Sequence, residues 1–261
     1  MVSALFTLND DNAIEIHYSG MASKTTLLHL SNHTFFNLCK DSQKSQIFLW
    51  WIDYCYIWLG GHDKSTLGGL YDHEFKANAE EFLPFTDDFV PIGEVRKVSD
   101  TPSEECSDFR SFKRLGDVIP RCRGGDLNGY TMSFVINQNT ASDKNGLKYC
   151  IIAMLISTNC ILAQLFSCFD WRLGCTLKNP KSPITMECWT NQPCVLIYTG
   201  NFLPKDKSMV GKEGACYQRH GCFCLQTEGY QDSINNPSFP QAGVLKPGEV
   251  YDHRIIFKFV A

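Results

Sequence analysis

The sequence has no basic cluster, no basic amphipathic stretch and no marked excess of either charge: 24 lysines and arginines face 28 aspartates and glutamates, a formal net charge of −4. That excludes a surface built to neutralise phosphates, so nucleic acid is not an expected partner. No two cysteines carry the two-residue gap of a zinc knuckle. Cys222 and Cys224 flank a single residue and no second ligand pair follows at a suitable distance, so no structural metal is expected. A secretory signal is missing too, since Met1 leads directly into an alternating strand pattern. The 13 cysteines, odd in number and irregular in spacing, therefore read as mostly free thiols in a reducing, cytoplasmic compartment. No internal repeat or low-complexity linker divides the chain, and 261 residues with 44% apolar content suffice for one domain, 1–261.

What is present is mostly strand-like. Residues 3–8 and 13–19 form an expected hairpin around Asn9-Asp10-Asp11-Asn12, with Ile14, Ile16 and Tyr18 alternating against Glu15, His17 and Ser19. Residues 25–30 supply another short strand, and 74–79 alternate Phe75, Ala77 and Ala79 inward. The stretch 84–95 reads as a turn-rich loop. Strands are expected at 184–189 and 194–198 around the break Asn191-Gln192-Pro193, then at 222–227 and 254–260. The fold class is all-β, an antiparallel β-sandwich.

Two apolar runs, at about 41–59 and 149–169, depart from this pattern. In the first, IFLWWIDYCYIWL has Asp53 as its only charge and is too short to span a bilayer. The second has no charge over 21 residues, long enough for a transmembrane helix. Ser157, Thr158, Asn159, Gln164 and Ser167 within it, and strand patterns on both sides, argue against a membrane span. Both are read as insertions foreign to the fold, in preference to an additional buried helix.

The segment LSNHTFFNL, at 30–38, sets His33 between an amide and a run of aromatics. An imidazole titrates near 6.5, so a partly desolvated one can give or take a proton at neutral pH. The other reading is a strand-edge histidine that hydrogen-bonds a neighbour. This segment resembles the TNHxYFNL segment of the aldose 1-epimerase (galactose mutarotase) family, which carries a catalytic histidine. Further blocks resemble the family in the same order: DDFVPIGEV at 87–95, TNQPCVLIYTGNF at 190–202, CLQTEGYQDSINNPSFP at 224–240 and LKPGEVY at 245–251.

The resemblance implies a galactose mutarotase supersandwich, here incomplete at the N-terminus, with no counterpart of the family's HGG-like segment. It implies a small-molecule hexose, galactose or glucose, as partner and no cofactor, with a monomer favoured over an oligomer. The implied chemistry is interconversion of α and β anomers by acid/base ring opening. His33 would be the general acid, with Asn32, Thr34 and Phe35 beside the sugar. Several positions depart from the family's pattern. Gln226 stands at the base, where the family reads CLETQ; Thr131 replaces a sugar-binding aspartate and Leu196 a sugar-contacting glutamine. Glu228 is an alternative base, two residues on and about 7 Å along the same strand face, with a solvated loop carboxylate as its bland reading. These changes leave two functions open: an epimerase, or a catalytically impaired hexose-binding or regulatory protein on the same fold.

Overall fold

The computed structural model describes residues 1–39, 69–102, 108–122, 128–138, 171–206, 208–210, 216–240 and 243–260. The apolar runs at about 41–59 and 149–169, and with them their reading as insertions, lie outside the described residues.

Strands β1 (Val2–Asn9) and β2 (Ala13–Met21) form the expected hairpin, with Val2 opposite Gly20 and Leu8 opposite Ile14. Its turn closes because Asn9 Oδ1 accepts the N–H groups of Asp11 and Ala13, while Asn12 takes a φ of +56°, a left-handed conformation that asparagine tolerates. The hairpin begins a seven-stranded antiparallel sheet. It continues through β17 (Val250–Val260), β11 (Thr185–Thr190), β10 (Arg172–Lys178), β5 (Glu74–Ala77) and β8 (Lys113–Arg114). A second sheet of six strands runs in the order β4 (Phe35–Phe36), β15 (Phe223–Glu228), β12 (Cys194–Tyr198), β9 (Thr131–Ile136), β6 (Ala79–Leu83) and β7 (Arg96–Lys97). Two short ribbons accompany them, β13 (Met209–Val210) with β14 (Cys216–Tyr217), and β16 (Val244–Leu245) with β3 (Thr26–Leu27). The strand expected over 25–30 is thus only two residues long, and it pairs outside the main sheets.

The inner faces of the two sheets share one apolar core, as in a β-sandwich. Ile16, Phe75 and Phe257 enter it from the larger sheet, and Phe82, Phe134 and Phe223 from the smaller, each no more than 1% exposed. The run expected as a single strand at 74–79 breaks at Asn78, where the chain crosses between sheets. There the Asn78 N–H donates to Gly174 O next to β5, and the Asn137 N–H donates to Asn78 O at the end of β9. Among the described residues no helix is long and apolar enough to cross a membrane; α1 is a single turn, Leu115–Val118.

Phe75 is fully buried and meets Phe109 edge-on at 5.0 Å and Phe134 at 6.4 Å. Phe75→Ala is expected to lower stability by about 3–5 kcal/mol, because it removes burial and leaves a cavity between two sheets that cannot collapse. Urea unfolding followed by tryptophan fluorescence reads this; a loss below about 1 kcal/mol would mean the two sheets do not pack through this residue.

Candidate active site

The pleat of the six-stranded sheet decides which residues face the core and which face outward. Along β15, Phe223, Leu225 and Thr227 point inward, so Cys224, Gln226 and Glu228 point outward, in phase with the preceding Cys222. Pairing spreads this alternation sideways. Gln226 stands opposite Leu196, which stands opposite Ser133; Tyr198 pairs with Cys224 on one side and Thr131 on the other. The outer face so formed is the floor of a cavity of about 510 Å³. His33, Thr131 and Gln226 bring polar groups to it, and Phe35, Leu196 and the Tyr198 ring carry the floor between them.

His33 is delivered by pairing at the edge of this sheet. Phe36 lies opposite Phe223 and Phe35 opposite Cys224. Extended back along the chain, the same register sets His33 at the level of Gln226. Side chains extend the ladder: Ser31 Oγ donates to Thr227 O at 2.9 Å, and Asn32 Nδ2 donates to Leu225 O at 3.3 Å. The His33 ring is exposed, edge-on to Phe35 at 4.8 Å and tilted against Tyr198 at 5.8 Å.

Beneath this stretch lies a residue with no signal in the sequence reading. His253 of β17 is fully buried, and its partners fix its tautomer. Nδ1 donates to Leu30 O at 3.1 Å, and Nε2 accepts the Thr227 hydroxyl at 2.8 Å. Burial lowers its pKa to about 4, so the ring is neutral at physiological pH. The Tyr251 hydroxyl accepts the Leu30 N–H at 3.2 Å, so both backbone groups of Leu30 are held from the larger sheet.

Thr131 is held by a second network. The Thr199 hydroxyl accepts the Tyr130 N–H at 2.8 Å and donates to Asn201 Oδ1 at 2.6 Å, while Asn201 Nδ2 donates to Tyr130 O at 3.0 Å and to Thr131 Oγ1 at 3.3 Å. Gly129 is required beside it. Its φ is +129°, and a Cβ there would come within 2.0 Å of Asn201 Oδ1.

Of the residues expected at the site, His33, Phe35, Thr131, Leu196 and Gln226 come together around the cavity. Asn32 and Thr34 do not line it. Both are buried on the other side of the segment, Asn32 tied to β15 as described. Glu228 corrects an expectation: it is no solvated loop carboxylate but 4% exposed, at the end of β15. Oε1 accepts the Ser133 hydroxyl and Oε2 accepts Gln231 Nε2, each at 2.9 Å. Burial raises its pKa to about 7, only partly opposed by those two hydrogen bonds. Missed from the sequence were Tyr198 of the floor, two residues on from Leu196, and the walls Phe202, Leu203, Met209, Tyr217 and Cys222. The parity of Cys222 with Gln226 could have identified the last; the other walls come from turns and short ribbons without periodicity.

Residues 55–258 match the family described as Aldose 1-epimerase. Galactose mutarotase of Bos taurus is 30% identical over 258 residues, covering 99% of this chain and 57% of that protein. Galactose mutarotase of Mus musculus is 28% identical over 250 residues, covering 96% of this chain and 55% of that protein. The chain therefore spans about half the length of the curated relatives it matches. A solved GalM/aldose epimerase homologue from C. elegans superposes with a TM-score of 0.66 at 21% identity, over 99% of this chain and 59% of that one. That likeness concerns the fold.

The raised pKa of Glu228 makes stability depend on pH. The native state holds this proton more tightly than the unfolded chain does, so the protonated group favours folding at low pH. That contribution is lost as pH rises from about 4.5 towards about 7. Glu228→Gln, which keeps the shape and removes the charge, is expected to be more stable than the natural chain at pH 8 by about 3 kcal/mol, with the difference vanishing near pH 4. Urea unfolding at both pH values measures it; an equal effect at both would mean that Glu228 is not held as a buried carboxyl.

Proposed function

The chain belongs to the aldose 1-epimerase family, and on that premise we propose that the cavity receives a hexose, galactose or glucose, for anomer exchange by acid/base ring opening. The observation that carries this reading is the pairing of residues 35–36 with β15, whose register brings His33 level with Gln226 at one end of the cavity. In this reading His33 protonates the ring oxygen as a base takes the proton of the anomeric hydroxyl. The bond between C1 and the ring oxygen breaks, the C1–C2 bond rotates, and the ring closes on the other face. Phe35 and Tyr198 offer apolar surface to the sugar's C–H face, and Thr131 and Gln226 offer polar groups to its hydroxyls. No metal or nucleotide enters this chemistry. The thiols of Cys175, Cys188, Cys194, Cys222 and Cys224, joined in no disulfide, support a cytoplasmic protein, acting as a monomer in this proposal.

Gln226 favours a second reading, a hexose-binding protein of low turnover. An amide can hold a hydroxyl by hydrogen bonding but cannot take its proton at neutral pH. The nearest carboxylate on that strand face, Glu228, lies about 7 Å further along and has both oxygens engaged inside the protein.

Polarimetry on freshly dissolved α-galactose, beside calorimetric binding of the same sugar, tests both. The natural chain is expected to bind galactose and to speed mutarotation little above solvent background. Gln226→Glu is expected to raise the rate about tenfold, less than the factor of about 10²–10⁴ typical of a well-placed general acid or base, and adding His33→Ala to that variant is expected to remove the gain. Strong turnover by the natural chain that Glu228→Gln abolishes would assign the base to Glu228; absence of galactose binding would end the hexose reading.

A further inference from the structure

The cavity has two chemically different ends. Its floor follows β15 from Gln226 back to Cys222, four residues, or about 13 Å at the rise of a strand, which is longer than one pyranose ring. The Gln226 amide stands at one end, and the His33 imidazole leans from that side over Phe35 and Tyr198. The other end is closed by Leu203, Met209 and Tyr217, with the Cys222 thiol pushed well up by burial and so neutral. Between them Phe202 stacks on Tyr198 at 6.0 Å and is braced edge-on by Phe89 at 5.2 Å. Thr131 pairs with Tyr198, whose hydroxyl accepts the Phe202 N–H at 2.9 Å. Phe202 and Met209 are 55% and 46% exposed, apolar surface that a ligand would take out of water. A volume of about 510 Å³ suits a drug-sized ligand, for which pockets run to the order of 300–1,000 Å³.

Resting on the hexose reading above, we propose that the preferred ligand is a reducing hexose carrying an aryl or alkyl substituent on the side of the ring remote from the anomeric carbon. The anomeric hydroxyl meets His33 and Gln226, and the substituent lies among Leu203, Met209 and Tyr217. A substituent on the anomeric oxygen itself is incompatible with ring opening, which removes the proton from that hydroxyl.

Titration calorimetry on the purified chain, with D-galactose, 6-O-benzyl-D-galactose and benzyl alcohol as separate probes, tests this. The benzylated sugar is expected to bind at least about tenfold more tightly than galactose, a gain that needs the burial of only about 60 Å² of apolar surface. Benzyl alcohol is expected to bind much more weakly than the benzylated sugar. Leu203→Asp and Met209→Asp, each made separately, are expected to bring the ratio of the two sugar affinities towards one, and two variants guard against one failing to fold. If galactose binds and its benzyl ether binds no better, the substituent pocket is refuted while the hexose reading stands. If benzyl alcohol binds as tightly as the benzylated sugar, the proposal falls; if neither sugar binds, the hexose reading falls and the proposal falls with it.

Discussion

The backbone of β15 is the constraint on which the site depends. On one side it is paired to β12, which positions Leu196 and Tyr198; on the other it accepts Ser31 and Asn32 and pairs with Phe35 and Phe36. Because the strand alternates, one set of side chains anchors the sandwich while the other lines the cavity, and neither can move without the other. A slip of one residue would turn Gln226 into the core and Leu225 into the cavity. The packing of Phe223 on Phe36, with ring centroids 5.7 Å apart, opposes that slip.

His33 is not held by its own ring, which makes no hydrogen bond among the described residues. Its position is inherited from neighbours on both sides in sequence. Leu30 is held through N–H and C=O by Tyr251 and His253, and Asn32 and Phe35 are held by β15. The two strands that supply these holds, β17 and β15, lie in different sheets, so the orientation of one exposed imidazole reports on how the sandwich is assembled. An imidazole set in this way takes its place from backbone contacts on both sides of it, and from ring contacts to Phe35 and Tyr198.

Much of this could be read from the sequence, where the signal was local. Period-2 alternation over residues 13–19 and a turn-forming Asn-Gln-Pro before residue 194 reflect the pleat directly, and β2 and β12 lie where those patterns put them. Strand β10 escaped because only Asp170 and Trp171 separate it from an uncharged run and no Gly or Pro break marks its start. His253 escaped for a different reason: nothing in YDHRIIF distinguishes a buried clamp from a strand-edge histidine, because its partners Leu30 and Thr227 lie 223 and 26 residues away. The cavity's apolar end escaped likewise, being assembled from the turn at 202–203 and a two-stranded ribbon. Contacts between distant segments leave little local trace.

The positions of Gln226 and Glu228 show why the type of residue and its location must be weighed together. By pKa alone Glu228 suits a general base, since a carboxyl held at about 7 can take a proton at neutral pH and give it back. Yet the burial that raises its pKa also removes it from the cavity. It lies where Cys194, Leu83 and Phe239 pack together, and its two oxygens are committed to Ser133 and Gln231. Gln226 has the reverse combination, lining the cavity along with His33 but with a group that does not titrate. Geometry comes before pKa in choosing a base. An ionisable group walled off from the cavity contributes pH-dependent stability and nothing to the cavity's chemistry, and the cavity floor carries an imidazole and an amide.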